Sequence, residues 1–464
     1  MPLMVSISGI RGVVGESLTP ALVVRYSSAF AEYCVRKHPA RRTVVVGRDG
    51  RVTGRWIADI AAATLAARGL DVRVIGICPT PTVQIAVERS GAAGGIAVTA
   101  SHNPMQWNGL KFMASTGMFL DGEENRELWT IADGEIVYPS WERLGTIADD
   151  DGWVQRHVDA VLALPMLDPA TVQKRKFRVV LDSVNAAGGV IVPQLLERLG
   201  CTVVPMNCDM SGVFAHTPEP IPENLAELAA RVVAERADLG IAVDPDVDRL
   251  VLITEQGLPY SEEYTVASAV KFVLSRPATG RSNGRPKVVV NLSTTRAVDE
   301  IARAHGAEVV RTPVGEINVA RRMKAIGAVI GGEGSGGVIL PDLHLGRDAV
   351  VGIGLILQLL AESGTTLSGL KETLPRYAIA KSTMPVGSVS PDSLLARIRD
   401  AHAGEGRVNT EDGLKIDFDD YWVHLRKSNT EPIVRIIAEA GTMERARAAL
   451  DAYRVEIQSF LTPV

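Results

Sequence analysis

The chain has 464 residues, of which 46% are hydrophobic and 22% charged. That balance excludes a disordered or collagen-like chain, and no apolar run approaches the roughly 18 residues a membrane span needs. Lys and Arg number 49 against 54 Asp and Glu, a net charge of −5, so no general nucleic-acid surface is expected.

Length suggests about three domains. The first residues carry no basic charge ahead of an apolar stretch, so no signal peptide is expected. Cys34, Cys78, Cys201 and Cys208 show no Cys-x-x-Cys spacing, which points to a reducing compartment, the cytoplasm.

The first predicted helix starts at Thr19-Pro20, a cap followed by a proline at the first helical position. Leu22, Tyr26, Phe30 and Cys34 recur every four residues and line one face. Thr43-Val44-Val45-Val46 reads as a buried strand ending at Gly47-Arg48-Asp49. A helix over about 57–68 and a strand over about 72–75 follow, so the chain alternates α and β. The same passage recurs at 178–182 and at 287–291, each an apolar strand running into a small or polar loop. Three related α/β units are expected. The tail differs, with strands over 382–386 and 422–425 and a helix over 442–461, which predicts a smaller α+β unit. The stretches 205–222 and 277–286 read as loops or linkers.

Four loops carry candidate chemistry. In Thr99-Ala100-Ser101-His102-Asn103-Pro104, a serine beside a histidine sits on a turn that Pro104 restricts. Lys111 follows closely, where it could neutralise phosphate charge or move a proton. In Asp244-Pro245-Asp246-Val247-Asp248-Arg249, three carboxylates at alternate positions converge if the segment is extended, and their repulsion calls for a hard cation. An EF-hand is excluded, because Arg249 stands where that loop needs glycine and the flanks read as strands. In Gly331-Gly332-Glu333-Gly334-Ser335-Gly336-Gly337, five glycines let a ligand approach the backbone, and Glu333 and Ser335 suit sugar hydroxyls. In Arg426-Lys427-Ser428-Asn429-Thr430, two cations and three polar side chains form a compact anion site, with Arg435 nearby. His157 reads as an ordinary helix or surface residue, and His344 and His424 have no evident partner.

The four loops, in this order, resemble the α-D-phosphohexomutase superfamily over essentially the whole chain. Ser8-Gly9-Ile10-Arg11-Gly12, Gly47-Arg48-Asp49, Cys78-Pro79-Thr80-Pro81-Thr82 and Pro218-Glu219-Pro220 also match. The resemblance implies three α/β domains and a C-terminal α+β domain around a central active-site cleft, spanning 1–153, 154–258, 259–374 and 375–464. It implies interconversion of a hexose 6-phosphate and 1-phosphate through a hexose 1,6-bisphosphate. Ser101 would be the phosphoserine. Asp244, Asp246 and Asp248 would hold Mg²⁺, with a phosphoserine oxygen completing the set. Glu333 and Ser335 would read sugar hydroxyls. Arg426, Ser428, Asn429 and Thr430 would clamp the phosphate that is not reacting, with Arg435 and Arg249 also facing substrate. Arg11, His102 and Lys111 would lie near the transferring group.

Departures are Ile7-Ser8 before the Gly-Ile-Arg-Gly motif, Gly337 where a His is common, and Lys427 where a Pro is common. Thr312-Pro313-Val314-Gly315-Glu316 resembles the phosphoglucosamine mutase version of a substrate-contacting segment. Glucosamine phosphate is therefore the expected sugar, with phosphomannomutase/phosphoglucomutase activity as the alternative. A Mg²⁺-dependent sugar phosphatase or a non-catalytic sugar-phosphate sensor are the other classes. The second anion loop argues against the phosphatase, and the intact serine and aspartates argue against the sensor.

Overall fold

The computed structural model describes residues 3–276, 284–387, 389–428 and 433–461. Three α/β units share one topology. In the first, strands Asp71–Ile77, Thr43–Arg48 and Gly94–Val98 lie parallel in that spatial order, and Trp107–Ala114 closes the set antiparallel. In the second the order is Thr202–Met206, Arg178–Asp182, Leu239–Val243 and antiparallel Leu250–Thr254. In the third it is Glu308–Thr312, Lys287–Asn291, Ile330–Glu333 and antiparallel Gly337–Ile339. Numbered by sequence within a unit, each sheet runs 2-1-3-4. Parallel strands need helical crossovers and are covered on both faces, which is why their sequences are nearly continuous apolar runs. The first sheet is widened to seven strands by Gly9–Val13 and Met4–Ser6 at one edge and Ile147–Asp149 at the other.

This shared order places the chemistry. The serine loop, the acidic loop and the Gly-Glu-Gly-Ser loop each join the third strand of their unit to the fourth. All three leave the carboxyl end of a central parallel strand, where open α/β sheets bind ligands.

The fourth unit is a five-stranded antiparallel sheet ordered Ala378–Pro385, Ile433–Ala440, Tyr421–Lys427, Leu414–Asp417, Arg407–Asn409. Helices Pro391–Ala401 and Met443–Leu461 accompany it. One apolar cluster runs through all three α/β units. The fourth unit has its own cluster, with Leu394, Leu425, Ile436 and Ile457 at its centre. Its contacts with the third unit are largely polar. Arg296 donates to the carbonyls of Phe418 (2.7 Å) and Tyr421 (2.9 Å), and Ser293 Oγ lies 2.8 Å from His424 Nδ1.

Local expectations are met with small shifts. The first helix runs Pro20–Lys37 with Thr19 at its cap position, but the Thr19 side chain makes no capping bond. The 382–386 and 422–425 expectations fall on longer strands, Ala378–Pro385 and Tyr421–Lys427, because the residues flanking them still pair in register; Val386 lies just beyond the first. Of the segment 277–286, residues 277–283 lie outside those described. Among the described residues no helix is long and apolar enough to cross a membrane, and the four cysteines are free.

Candidate active site

The acidic loop is a tight turn, not the extended segment the alternation suggests. Val247 N–H donates to Asp244 O (3.0 Å), and Val247 takes the left-handed φ of +61°. A β-branched residue there is strained by about 1–3 kcal/mol. The turn folds three carboxylates together instead of lining them along one strand face. All three are fully buried, and their ligand oxygens lie within 4.8 Å of one another.

Their partners come from other units. Asp246 Oδ2 accepts from Lys111 Nζ (2.6 Å) and Thr80 Oγ1 (2.7 Å), both of the first unit. Asp248 Oδ2 accepts from Arg347 Nη2 (2.6 Å) of the third. Asp244 Oδ1 accepts the backbone N–H groups of Asp248 and Arg249, each at 3.2 Å. Burial raises the Asp244 carboxyl well above the usual range, and the Asp248 and Asp246 charges push it further up. Burial also opposes ionisation of Asp246 and Asp248, but Lys111 and Arg347 respectively outweigh it and hold both carboxyls low. Asp246 Oδ1 and Asp248 Oδ1 are buried with no hydrogen-bond partner among the described residues. Such oxygens are costly unless something cationic meets them. The donor set is all carboxylate oxygen, so it fits a hard cation such as Mg²⁺ better than a softer one.

Ser101 reaches this cluster from the first unit. It is 2% exposed and takes a φ of +49°. Its Oγ donates to Asp244 Oδ2 at 3.0 Å and lies 3.3 Å from His102 Nδ1. Burial, then the Arg249 and Arg11 charges, push the His102 imidazole down to about 2, so it is neutral. Arg11 Nη1 donates to Asn103 Oδ1 at 3.3 Å.

A cavity of about 370 Å³ opens between the four units. Arg11, Ser101, His102, Lys111, Arg249, Glu333, Ser335 and Arg426 all line it, so the structure brings these sequence-derived candidates together. Glu333 is held on three sides, by Asn291 Nδ2 (2.9 Å), Gly315 N–H (2.8 Å) and Arg347 Nη1 (2.8 Å). Arg426 Nε pairs with Asp412 Oδ2 (2.8 Å), which also accepts Val314 N–H (2.9 Å) from the third unit. Arg435 stands directly across the sheet from Arg426, but it is exposed and does not line the cavity. Ser428 is half-buried, donates its N–H to Ile433 O (3.0 Å) and does not line the cavity. Asn429 and Thr430 lie outside the described residues.

The histidine expectations need correction. His157 is fully buried, with Nε2 2.8 Å from Asp348 Oδ2 and Nδ1 2.9 Å from Thr82 Oγ1. His344 shares Asp348 Oδ2 at 3.3 Å, and His424 bridges Ser293 and the Asp412 carbonyl (2.7 Å). The partners of His157, and Ser293 as the partner of His424, lie far off in sequence, whereas Asp348 is only four residues from His344.

Arg347, Glu263, Asn291 and Arg51 also belong to the site or its support and were missed. Arg347 joins the acidic turn, Glu333 and Glu316 (Nε to Oε2, 3.2 Å). A signal existed: Gly346-Arg347-Asp348 repeats Gly47-Arg48-Asp49 at the mouth of another unit.

A buried serine against an acidic turn, within a cleft shared by three like units and a fourth, defines a phosphohexomutase-type isomerase. The domain I, II and III models of phosphoglucomutase/phosphomannomutase match residues 4–137, 155–257 and 262–377, and the C-terminal domain model matches 389–454. A probable phosphoglucosamine mutase of Methanopyrus kandleri is 38% identical over 451 residues, 96% of each chain. The phosphoglucomutase/phosphomannomutase of Thermococcus kodakarensis is 37% identical over 446 residues, again 96% of each. The crystal structure of a phosphoglucomutase/phosphomannomutase family protein from Burkholderia thailandensis superposes with a TM-score of 0.84 at 28% identity, covering 99% of both chains. The chain belongs to the phosphoglucomutase/phosphomannomutase family of α-D-phosphohexomutases.

Proposed function

We propose that this enzyme interconverts hexosamine 6-phosphate and 1-phosphate, with glucosamine phosphate as the sugar, through a phosphoserine at Ser101 and a hexose 1,6-bisphosphate. One observation carries the reading: Ser101 Oγ meets Asp244 at 3.0 Å beside a cavity to which the fourth unit contributes Arg426. A carrier serine and a separate anion group suit a substrate that keeps one phosphate while exchanging another.

In this reading the phosphoryl group leaves Ser101 Oγ for the free sugar hydroxyl. The Oγ–P bond breaks, the sugar O–P bond forms, and the sugar hydroxyl proton ends on Ser101 Oγ, which becomes a free hydroxyl. The bisphosphate turns around, and its other phosphoryl group returns to Ser101 Oγ, so the exchange is balanced. Transfer of this kind depends on positioning and charge neutralisation more than on covalent chemistry. Asp244, Asp246 and Asp248 would hold Mg²⁺, which when bound supplies positive charge at the phosphoryl oxygens. Lys111 and Arg11 add cationic charge beside Ser101, and neutral His102 lies against its hydroxyl. Arg249 and Ser335 face the sugar, and Glu333, fixed by three donors, presents a stationary acceptor edge. Arg426 with Ser428, Asn429 and Thr430 would clamp the idle phosphate, with Arg435 reinforcing the local field. In this reading the domain limits fall near 153, 258 and 374. Four free cysteines suit the cytoplasm.

Phosphomannomutase/phosphoglucomutase activity is the second reading, favoured by the relative of that name at nearly equal identity. Initial rates on glucosamine, mannose and glucose 1-phosphates, each with its own bisphosphate activator, test both. The highest kcat/KM is expected with glucosamine. Preference for mannose or glucose would move the assignment to the second reading, and release of inorganic phosphate without isomerisation would overturn both.

A further inference from the structure

The guanidinium of Arg51 is fully buried, yet it faces neither the cavity nor solvent. All five of its N–H donors are used. Nε pairs with Asp49 Oδ2 at 3.1 Å. Nη1 donates to the carbonyls of Pro104 and Trp107, and Nη2 to those of Ser101 and Asn103, at 2.5–2.9 Å. Three of these carbonyls belong to the loop that carries Ser101, and the fourth is that of Trp107, where the next strand begins. Asp49 closes a second circuit. It accepts from Thr99 Oγ1 (2.6 Å), and Thr99 Oγ1 accepts Ser101 N–H (2.9 Å). Ser101 is thus gripped at its own N–H and its own carbonyl, the two groups that bracket its left-handed φ of +49°. A non-glycine residue does not hold that conformation by itself. Here it coincides with Oγ meeting Asp244.

The grip is covered by the second unit. The Phe214 ring lies 4.9 Å from Arg51 Cζ. The Gly212 backbone presses so closely that a Cβ there would stand 2.1 Å from Gly50 O. The unit that supplies the acidic turn therefore also seals the group that aims the serine at it.

We propose that Arg51 is a positioning residue for phosphoryl transfer, drawing the carbonyls of Ser101, Asn103, Pro104 and Trp107 around one planar fork so that the Ser101 hydroxyl is fixed toward the acidic turn. The proposal rests on Ser101 being the phosphoryl carrier. Only guanidinium offers five donors in a fixed plane, and a lysine ammonium offers three. A structural ion pair alone would need Asp49 and not four carbonyls from one short stretch of chain, 101–107.

The test is steady-state kinetics of the full-length enzyme with Arg51→Lys and Thr99→Val, beside melting temperatures and peptide mass analysis after incubation with hexose bisphosphate. Arg51→Lys is expected to lower kcat roughly 10²-fold with KM unchanged, as a small misplacement of a reacting group does. Thr99→Val, which removes the hydroxyl linking Ser101 N–H to Asp49, is expected to lower kcat less, again at constant KM and melting temperature. Wild-type kcat in folded Arg51→Lys overturns the proposal. If Arg51→Lys does not fold, Thr99→Val decides, and wild-type kcat there overturns it. Phosphate on Ser101 with unaltered kcat in the variants sinks the positioning role alone. No phosphate on Ser101 of the wild type removes the carrier assignment and the positioning role together.

Discussion

Lys111 Nζ lies 2.6 Å from Asp246 Oδ2, a buried ion pair that ties the first unit's sheet to the second unit's acidic turn. Lys111 and Arg347 pair with Asp246 and Asp248, and Arg249 Nε stands 3.9 Å from Asp248 Oδ1. Two carboxylate oxygens remain without a hydrogen-bond partner among the described residues. These two oxygens lead to the first prediction. Chelator-treated enzyme should lose activity and regain it with Mg²⁺. Asp246→Asn should lower kcat by roughly 10²-fold or more, the scale of losing one electrostatic contact to a reacting group. Activity measured against Mg²⁺ concentration checks both, and a rate indifferent to chelation would remove the metal from the mechanism.

Ser101→Ala should fold, because the hydroxyl's bonds to Asp244 and His102 are few and the loop is held elsewhere. With Ser101 as the proposed phosphoryl carrier, its turnover should fall at least roughly 10³-fold. Intact-mass measurement of active wild type should show one phosphate, on the peptide containing Ser101. Phosphate confined to another peptide would contradict the assignment.

Much of this was readable in the sequence, for identifiable reasons. Strands such as Arg178–Asp182, Leu239–Val243 and Lys287–Asn291 are buried on both faces, so they appear as continuous apolar runs with sharp polar ends. The chemistry-bearing loops announce themselves because their residue types are dense and local. What depended on distant partners was hidden. His157 and Asp348 are 191 positions apart, and Ser293 and His424 are 131 apart. Arg51 and Arg347 look like ordinary loop arginines until the carbonyls and carboxylates around them are assembled. The acidic turn shows a subtler failure. The alternation of aspartates was correct evidence for convergence, but the convergence comes from a left-handed Val247 and not from an extended strand.

Asp412 Oδ2 occupies Arg426 while it also takes Val314 N–H from the third unit. Asp412→Asn keeps an oxygen for Val314 and removes the charge that competes for the guanidinium. KM for the sugar phosphate should therefore fall in Asp412→Asn. Arg426→Ala should raise KM and lower kcat, roughly tenfold or more, because a charge-assisted contact and the positioning it gives are both lost. The fourth unit has its own apolar core and meets the third largely through polar groups, so it is expected to swing about a hinge near residue 374. Unchanged kinetics in Arg426→Ala would sink the clamp. Identical small-angle scattering with and without substrate would sink only the swing.

Glu263 gives a prediction in pH. It lies in the first turn of the helix Glu262–Leu274, lines the cavity, is 7% exposed, and accepts Thr295 N–H at 3.0 Å. Burial pushes its carboxyl from the ordinary 4.5 up to about 8. Below pH 4.5 it is protonated in folded and unfolded chains alike, and its contribution to stability is fully present. Between 4.5 and about 8 the unfolded chain releases the proton while the folded chain keeps it, so stability falls as pH rises. Glu263→Gln retains an oxygen for Thr295 and cannot ionise. The variant should therefore gain on the wild type steadily across that window, reaching on the order of a few kcal/mol at its upper end. Denaturant unfolding of both proteins at pH 5 and pH 8 measures the difference. A gap that stays constant with pH would show that Glu263 is already charged in the folded enzyme, matched by a cation such as Lys381, whose ammonium lines the same cavity.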